Sequence, residues 1–186
     1  ATVRYETNPG LQCQIVWKEE LVLHNREGKE ITINIFLSIL GYSRLKYIEL
    51  TFDKSQPTLF RCLTNSFKYF GGVPKELLFD NMKTVVDHSR TQFNKPVYNE
   101  VFYSFSKDCG FIPKSCLAYR PRTKGKVEVV AKIMNRLKVY DYEFSTVEEL
   151  NGIVNKLRED INNEVQATTN EKPIERFKKE KEYRSE

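Results

Sequence analysis

Ile31, Ile33, Ile35, Leu37 and Ile39 occupy every second position of one short stretch, and this strict period of two most narrows the folds open to the chain. A helix would scatter these five side chains around its circumference, whereas a strand puts them all on one side of a sheet. Turn signals bound the run, His24-Asn-Arg-Glu-Gly-Lys-Glu30 before it and Gly41-Tyr-Ser43 after it. Upstream, Cys13, Ile15 and Trp17 alternate with Gln12, Gln14 and Lys18, a half-buried strand in which Val16 is the one apolar residue on the polar side. Downstream, Arg44 to Phe52 reads as a third strand, so this part of the chain predicts an antiparallel meander.

After Asp53 the period changes. Leu59, Phe60, Leu63, Phe67 and Phe70 recur at helical spacing behind Pro57, and Gly71-Gly72 stops them. Lys75 to Phe79 is a short apolar strand ending on Asp80-Asn81, and a polar loop with His88 follows. Pro96 opens a second predicted helix with Val97, Val101, Phe102, Phe105 and Cys109 on one face and Gly110 as its cap. Phe111 to Leu117 is a strand that Pro113 confines to a sheet edge or bend. A third helix reaches Tyr140, with Val127, Val130, Ala131, Met134 and Leu137 toward the core. A capping box at Thr146-Val-Glu-Glu149 then starts an amphipathic helix, and Pro173 starts a last, strongly charged one.

Three antiparallel strands, helix, strand, helix, strand, helix predicts an α/β fold, a mixed five-stranded sheet flanked by helices whose order resembles the ribonuclease H-like fold. Residues 9–140 are expected to form that core and 141–186 a C-terminal helical extension. In such a sheet the tips of the first and fourth strands lie side by side, and the last helix brings one more residue over the same point.

Charge singles out one segment. From Arg120 to Tyr140 there are seven Lys or Arg and one acid, Glu128, a local excess of six positive charges in a chain whose total is +5. A lone carboxylate opening a helix amid cations suits a metal ligand beside a polyanion, and equally a solvated basic helix in which Glu128 pairs with Lys124 and Lys132 at i±4 spacing. The four cysteines, Cys13, Cys62, Cys109 and Cys116, form no C-x-x-C pair and lie far in sequence from His24 and His88, which reads as core thiols in a reducing cytoplasm rather than a zinc site. His24 in a turn and His88 in a loop are expected to be exposed. There is no apolar run long enough for a membrane span and no secretory leader pattern, and the first residue, Ala1, suggests a piece of a longer chain.

Five blocks carry a resemblance: Pro9-Gly-Leu-Gln-Cys-Gln-Ile-Val-Trp-Lys-Glu-Glu20, Phe70-Gly-Gly-Val-Pro74, Leu78-Phe-Asp-Asn-Met-Lys-Thr-Val-Val86, Tyr119-Arg-Pro-Arg-Thr-Lys-Gly-Lys-Val-Glu128 and Pro173-Ile-Glu-Arg-Phe177. Together they resemble the integrase-type DDE catalytic core of bacterial insertion-sequence transposases, in particular the two-gene kind that works with an AAA+ ATPase helper. The resemblance implies DNA cleavage and strand transfer by two-metal phosphoryl transfer, with Asp80 matching the second catalytic acid and Glu128 the closing glutamate, both as ligands of Mg²⁺ or Mn²⁺. It implies double-stranded DNA, at transposon ends and target, as the partner, along with the helper ATPase and other copies of the transposase.

The first acid does not carry over. The family pattern has Asp immediately before the tryptophan, and here that position is Val16. Glu19, Glu20 and Asp53 are the nearest substitutes. Glu20, on the same face two pairs further along, would sit about 13 Å away in a regular strand. The expectation is therefore a core that holds Mg²⁺ or Mn²⁺ weakly or not at all and is catalytically impaired. The alternative is a non-catalytic DNA-binding or assembly module that keeps the fold. A ribonuclease H acting on RNA–DNA hybrids is a weaker third, because the matching blocks are of transposase type. Arg120, Arg122, Lys124, Lys126, Lys132 and Arg136 are the expected contacts to DNA phosphates.

Overall fold

A computed structural model describes residues 9–79, 86–88, 97–115 and 124–184. The meander is present as β1 (Gln12–His24), β2 (Glu30–Leu40) and β3 (Lys46–Thr51), followed by α1 (Gln56–Phe70) and β4 (Glu76–Phe79). Next come a two-stranded ribbon of β5 (Val86–His88) and β6 (Val97–Tyr98), then α2 (Glu100–Cys109), β7 (Ile112–Ser115), α3 (Lys124–Lys138), α4 (Val147–Asn162) and α5 (Pro173–Arg184). The large sheet has the order β3-β2-β1-β4-β7, with the first three strands antiparallel and β4 parallel to both β1 and β7. The expected mixed five-stranded sheet flanked by helices is the one observed.

Two apolar layers sandwich the sheet. On one side Cys13, Ile15, Phe36, Leu77 and Phe79 meet Leu59, Leu63 and Phe70 of α1, Phe102 of α2 and Phe177 of α5. On the other, Val16, Ile33, Ile35, Leu37 and Ile48 meet Ile133 and Leu137 of α3 and Leu150, Val154, Leu157 and Ile161 of α4. Helices expected as an extension are thus built into both layers. Asn162, at the end of α4, accepts from the Lys46 backbone N–H and donates to its carbonyl, tying the helix to the start of β3. Arg176 of α5 donates to the Tyr42 carbonyl, and the buried Glu180 accepts from the Gly10 N–H at 2.8 Å.

An extra residue in β1 sets which side chains face which layer. The register with β2 shifts between Lys18 and Leu21, and Glu20 adopts a positive φ of 54° within that bulge. Cys13 and Ile15 therefore face the α1 layer, while Leu21 and Leu23, odd-numbered too, face the α3 layer. At the other end of the sheet Ile112 N–H bonds back to the Lys75 carbonyl, which turns Pro113 and Ser115 toward the open edge of β7. There the Tyr98 hydroxyl donates to the Pro113 carbonyl and accepts from the Ser115 N–H. Pro113 contributes no N–H of its own, so the edge offers little to a stray strand.

Three local expectations need correction. The second helix starts at Glu100, capped by Asn99, and not at Pro96; Val97 lies in β6, and both it and Val101 are exposed. On α3, Ile133 and Leu137 are the buried pair, while Val127 and Ala131 are exposed, because β1 and α4 meet the helix on a face rotated from the one predicted. His24 is not free in a turn, and His88 belongs to β5. The His24 ring stacks on Tyr142, with centroids 4.6 Å apart, and its Nδ1 lies 3.1 Å from Asp141 Oδ1, which also accepts the His24 backbone N–H. This clip fixes the turn from α3 to α4 against the β1 hairpin. Cys13, Cys62 and Cys109 are free thiols, and burial raises the pKa of each, Cys13 to about 12. No helix of the described residues is long and apolar enough to cross a membrane.

Candidate functional site

The parallel pairing of β1 with β4 runs through Cys13 with Leu77 and Gln14 with Leu78 to Ile15 with Phe79. Val16 directly follows the last of these residues on β1, and Asp80 directly follows the last on β4. Asp80 itself lies outside the described residues, as do Arg120 and Arg122, and of Lys124 and Lys126 only the helical backbone of α3 is described.

Val16 is 8% exposed and pairs across to Leu37. Its side chain turns toward α3, where it shares a small cleft with Ile35, Leu37, Val130, Ile133 and Met134, and the stem of Lys18 completes the wall. That lining is apolar, hydrocarbon except for the Met134 thioether. A hard divalent cation needs oxygen donors, and among the described residues that line this cleft there is none. Among the described residues no group of three His, Cys, Asp or Glu is placed to hold a metal.

The sequence neighbours that could have substituted for the missing acid do not reach it. Glu19 pairs with Lys54 at 2.7 Å, and Glu20 is turned to solvent by the bulge, with its N–H donating to Asn34. Asp53 is engaged at the start of α1, where hydrogen bonds from the Thr58 and Ser55 hydroxyls and the Ser55 N–H hold its pKa down at about 2. The bulge removes the strand-distance reasoning that put Glu20 on the face of Val16.

Glu128 lies in the second turn of α3 and is exposed. At about 100° per residue, it stands roughly 140° around the helix from Ile133 and roughly 180° from Leu137. It therefore opens away from the stripe that packs on β1. Lys132 and Arg136 continue the Glu128 stripe at i+4 and i+8, and their partner is Glu164, just past the end of α4. Arg136 grips it with both Nη atoms at 2.5 Å, and Lys132 Nζ approaches to 2.8 Å. These bonds, Arg136 foremost, hold the Glu164 pKa down at about 2. Sequence reasoning missed this acid because it lies 28 residues beyond Arg136 and only the packing of α4 beside α3 brings it there.

No protein-family model matches the chain. Among curated proteins, it is 46% identical over 183 residues to a Geobacillus stearothermophilus protein assigned as the transposase for insertion sequence element IS5376, and 41% identical over 179 residues to the transposase for IS232 of Bacillus thuringiensis subsp. berliner. Each alignment takes in 96% of this chain. The chain belongs to the DDE transposase/integrase core family. It spans less than half the length of these relatives, 44% and 41%. Among solved structures, the catalytic core domain of BIV integrase superposes on 95% of the chain and 99% of its own length at a TM-score of 0.64 and 14% identity. The HTLV-2 integrase catalytic core domain, solved in complex with magnesium in a dimeric form, superposes on 93% of this chain and 99% of its own length at 0.64 and 13%. At such identity the likeness to these two is one of fold, and it places the transposase core's sheet and helices in the integrase arrangement.

Proposed function

We propose that this chain is the catalytic core of a transposase that cuts and joins DNA at transposon ends, with its chemistry disabled at Val16. The observation that carries the proposal is the burial of Val16, in an apolar lining, beside the strand that leads into Asp80. In this reading Asp80 and Glu128 are the two remaining acids for Mg²⁺ or Mn²⁺, and Val16 withholds the third. The described side chains at that corner offer a metal no oxygen donor, so they do not fit one. Substrate contact falls to the basic segment, with Arg120, Arg122, Lys124 and Lys126 meeting phosphates of the duplex backbone and no base edges. Other copies of the transposase and an AAA+ ATPase helper complete the proposed assembly.

A second reading is favoured by how completely Val16 is packed: a module that keeps fold and DNA contact but no chemistry. Nicking of supercoiled plasmid by Val16→Asp in Mn²⁺ separates the two. Nicking by the variant and none by the unaltered chain supports a disabled enzyme. No nicking by either supports the module, and robust Mg²⁺-dependent nicking by the unaltered chain overturns the impairment.

A further inference from the structure

At the ionic corner where α3, α4 and the start of β3 meet, Lys132 and Arg136 share the Glu164 carboxylate beside a buried lysine. Lys46 is 1% exposed, and its Nζ donates to the Arg44 carbonyl at 2.7 Å. Burial first, then the charges of Lys132 and Arg44, push its pKa down to about 7, and Glu164 offsets this only in part. Arg136 faces Glu164 and, at longer range, Asp160. A place where a guanidinium fork and an ammonium close on one carboxylate suits a multiply charged oxyanion.

We propose that Glu164 is an internal stand-in for a DNA phosphate: it occupies Lys132 and Arg136 in the DNA-free protein and gives way when a duplex backbone docks on α3. The inference rests on the DNA-binding reading above. Three features carry it. The guanidinium fork of Arg136 matches carboxylate and phosphate oxygens alike, so exchange needs no rearrangement of α3. Lys132, Arg136 and Glu164 are each about a third exposed, so a phosphate can approach from solvent. Glu164 also lies beyond the α4 cap at Asn163, so its side chain can swing out without unwinding the helix.

The test is binding of a fluorescently labelled random-sequence duplex to the full 186-residue chain in EDTA, across a salt series. Because a displaced carboxylate must recruit a counterion, it subtracts from counterion release; Glu164→Gln should steepen the log–log salt slope by about one. Its affinity at low salt should rise about tenfold, within the usual range of coupling between sites. The gain should vanish in the double variant Arg136→Gln/Glu164→Gln. A remote charge removal, Glu27→Gln, should leave the slope unchanged. Should Glu164→Gln unfold, Glu164→Asp, too short to hold both cations, gives the same readout on a smaller scale. A wild type that binds with a steep slope and a Glu164→Gln variant indistinguishable from it would overturn the stand-in alone. Absence of salt-dependent binding in both would overturn the DNA reading and this inference together.

Discussion

Two corners of α3 lie against the same face of the sheet and could hardly differ more. At Val16 the helix meets β1 through Val130, Ile133 and Met134, without one polar partner. At Glu164 the same helix offers Lys132 and Arg136 to a shared carboxylate over a buried lysine. The apolar corner stabilises the fold by the area it removes from water, and a carboxylate placed there without a metal would lose its hydration and gain nothing. The ionic corner strains the fold, since Lys46 is held partly discharged, yet it keeps the cations a phosphate would need. One helix thus makes two opposite kinds of contact on the same side of the sheet: an apolar one that adds to stability, and an ionic one that costs some of it.

The comparison breaks most visibly at Val16. Val16→Asp should destabilise the metal-free chain by about 3 kcal/mol, the scale of a carboxyl buried without a partner, and Mn²⁺ should recover part of that loss in denaturant titrations. Next, Ile133→Ala should cost about 2–4 kcal/mol as a cavity under α3, while Glu128→Ala, on the exposed stripe, should stay within about 0.5 kcal/mol. Equal losses for the two would contradict the helix rotation described here.

The ionic corner should announce itself through pH. The folded pKa of Lys46, about 7, lies below its usual 10.5, so above pH 7 the unfolded chain binds the extra proton and stability rises with pH. Between about pH 7 and pH 8.5, below most cysteine and tyrosine titration, the wild type should gain about 1 kcal/mol relative to Lys46→Met. The smallest effect belongs to Glu164. Its folded pKa is depressed from 4.5 to about 2, so its contribution is present above pH 4.5 and is lost as pH falls toward 2. A third exposed and screened, it should separate wild type from Glu164→Gln by no more than about 1 kcal/mol at neutral pH and by nothing near pH 2.

Much of this was legible in the residues. The isoleucines of β2 fixed a strand, the switch of period behind Pro57 marked α1, and the order of elements led to the sheet that is observed, with β1 beside β4. What could not be read was anything set by one residue of offset or by distant packing. Cys13, Ile15, Leu21 and Leu23 all carry odd numbers and look like one face, but the extra residue at Glu19 and Glu20 divides them between two layers without a glycine to mark it. The rotation of α3 was equally hidden, because Val127, Ala131 and Ile133 are all plausible core residues until α4 fixes which side is covered. Lys132 and Arg136 read as contacts to DNA phosphates, Lys132 also as a partner of Glu128, and His24 as an exposed turn residue, since Glu164 and Asp141 reach them only through the tertiary fold.

If Val16 occupies the place of an oxygen ligand, restoring a carboxylate there should restore metal uptake. Titrating Mn²⁺ into the unaltered chain and into Val16→Asp, with free metal followed by its electron paramagnetic resonance signal, tests it most directly. Uptake should be at least about tenfold tighter in the variant, the gain of one coordinating carboxylate. Identical uptake by both would contradict it.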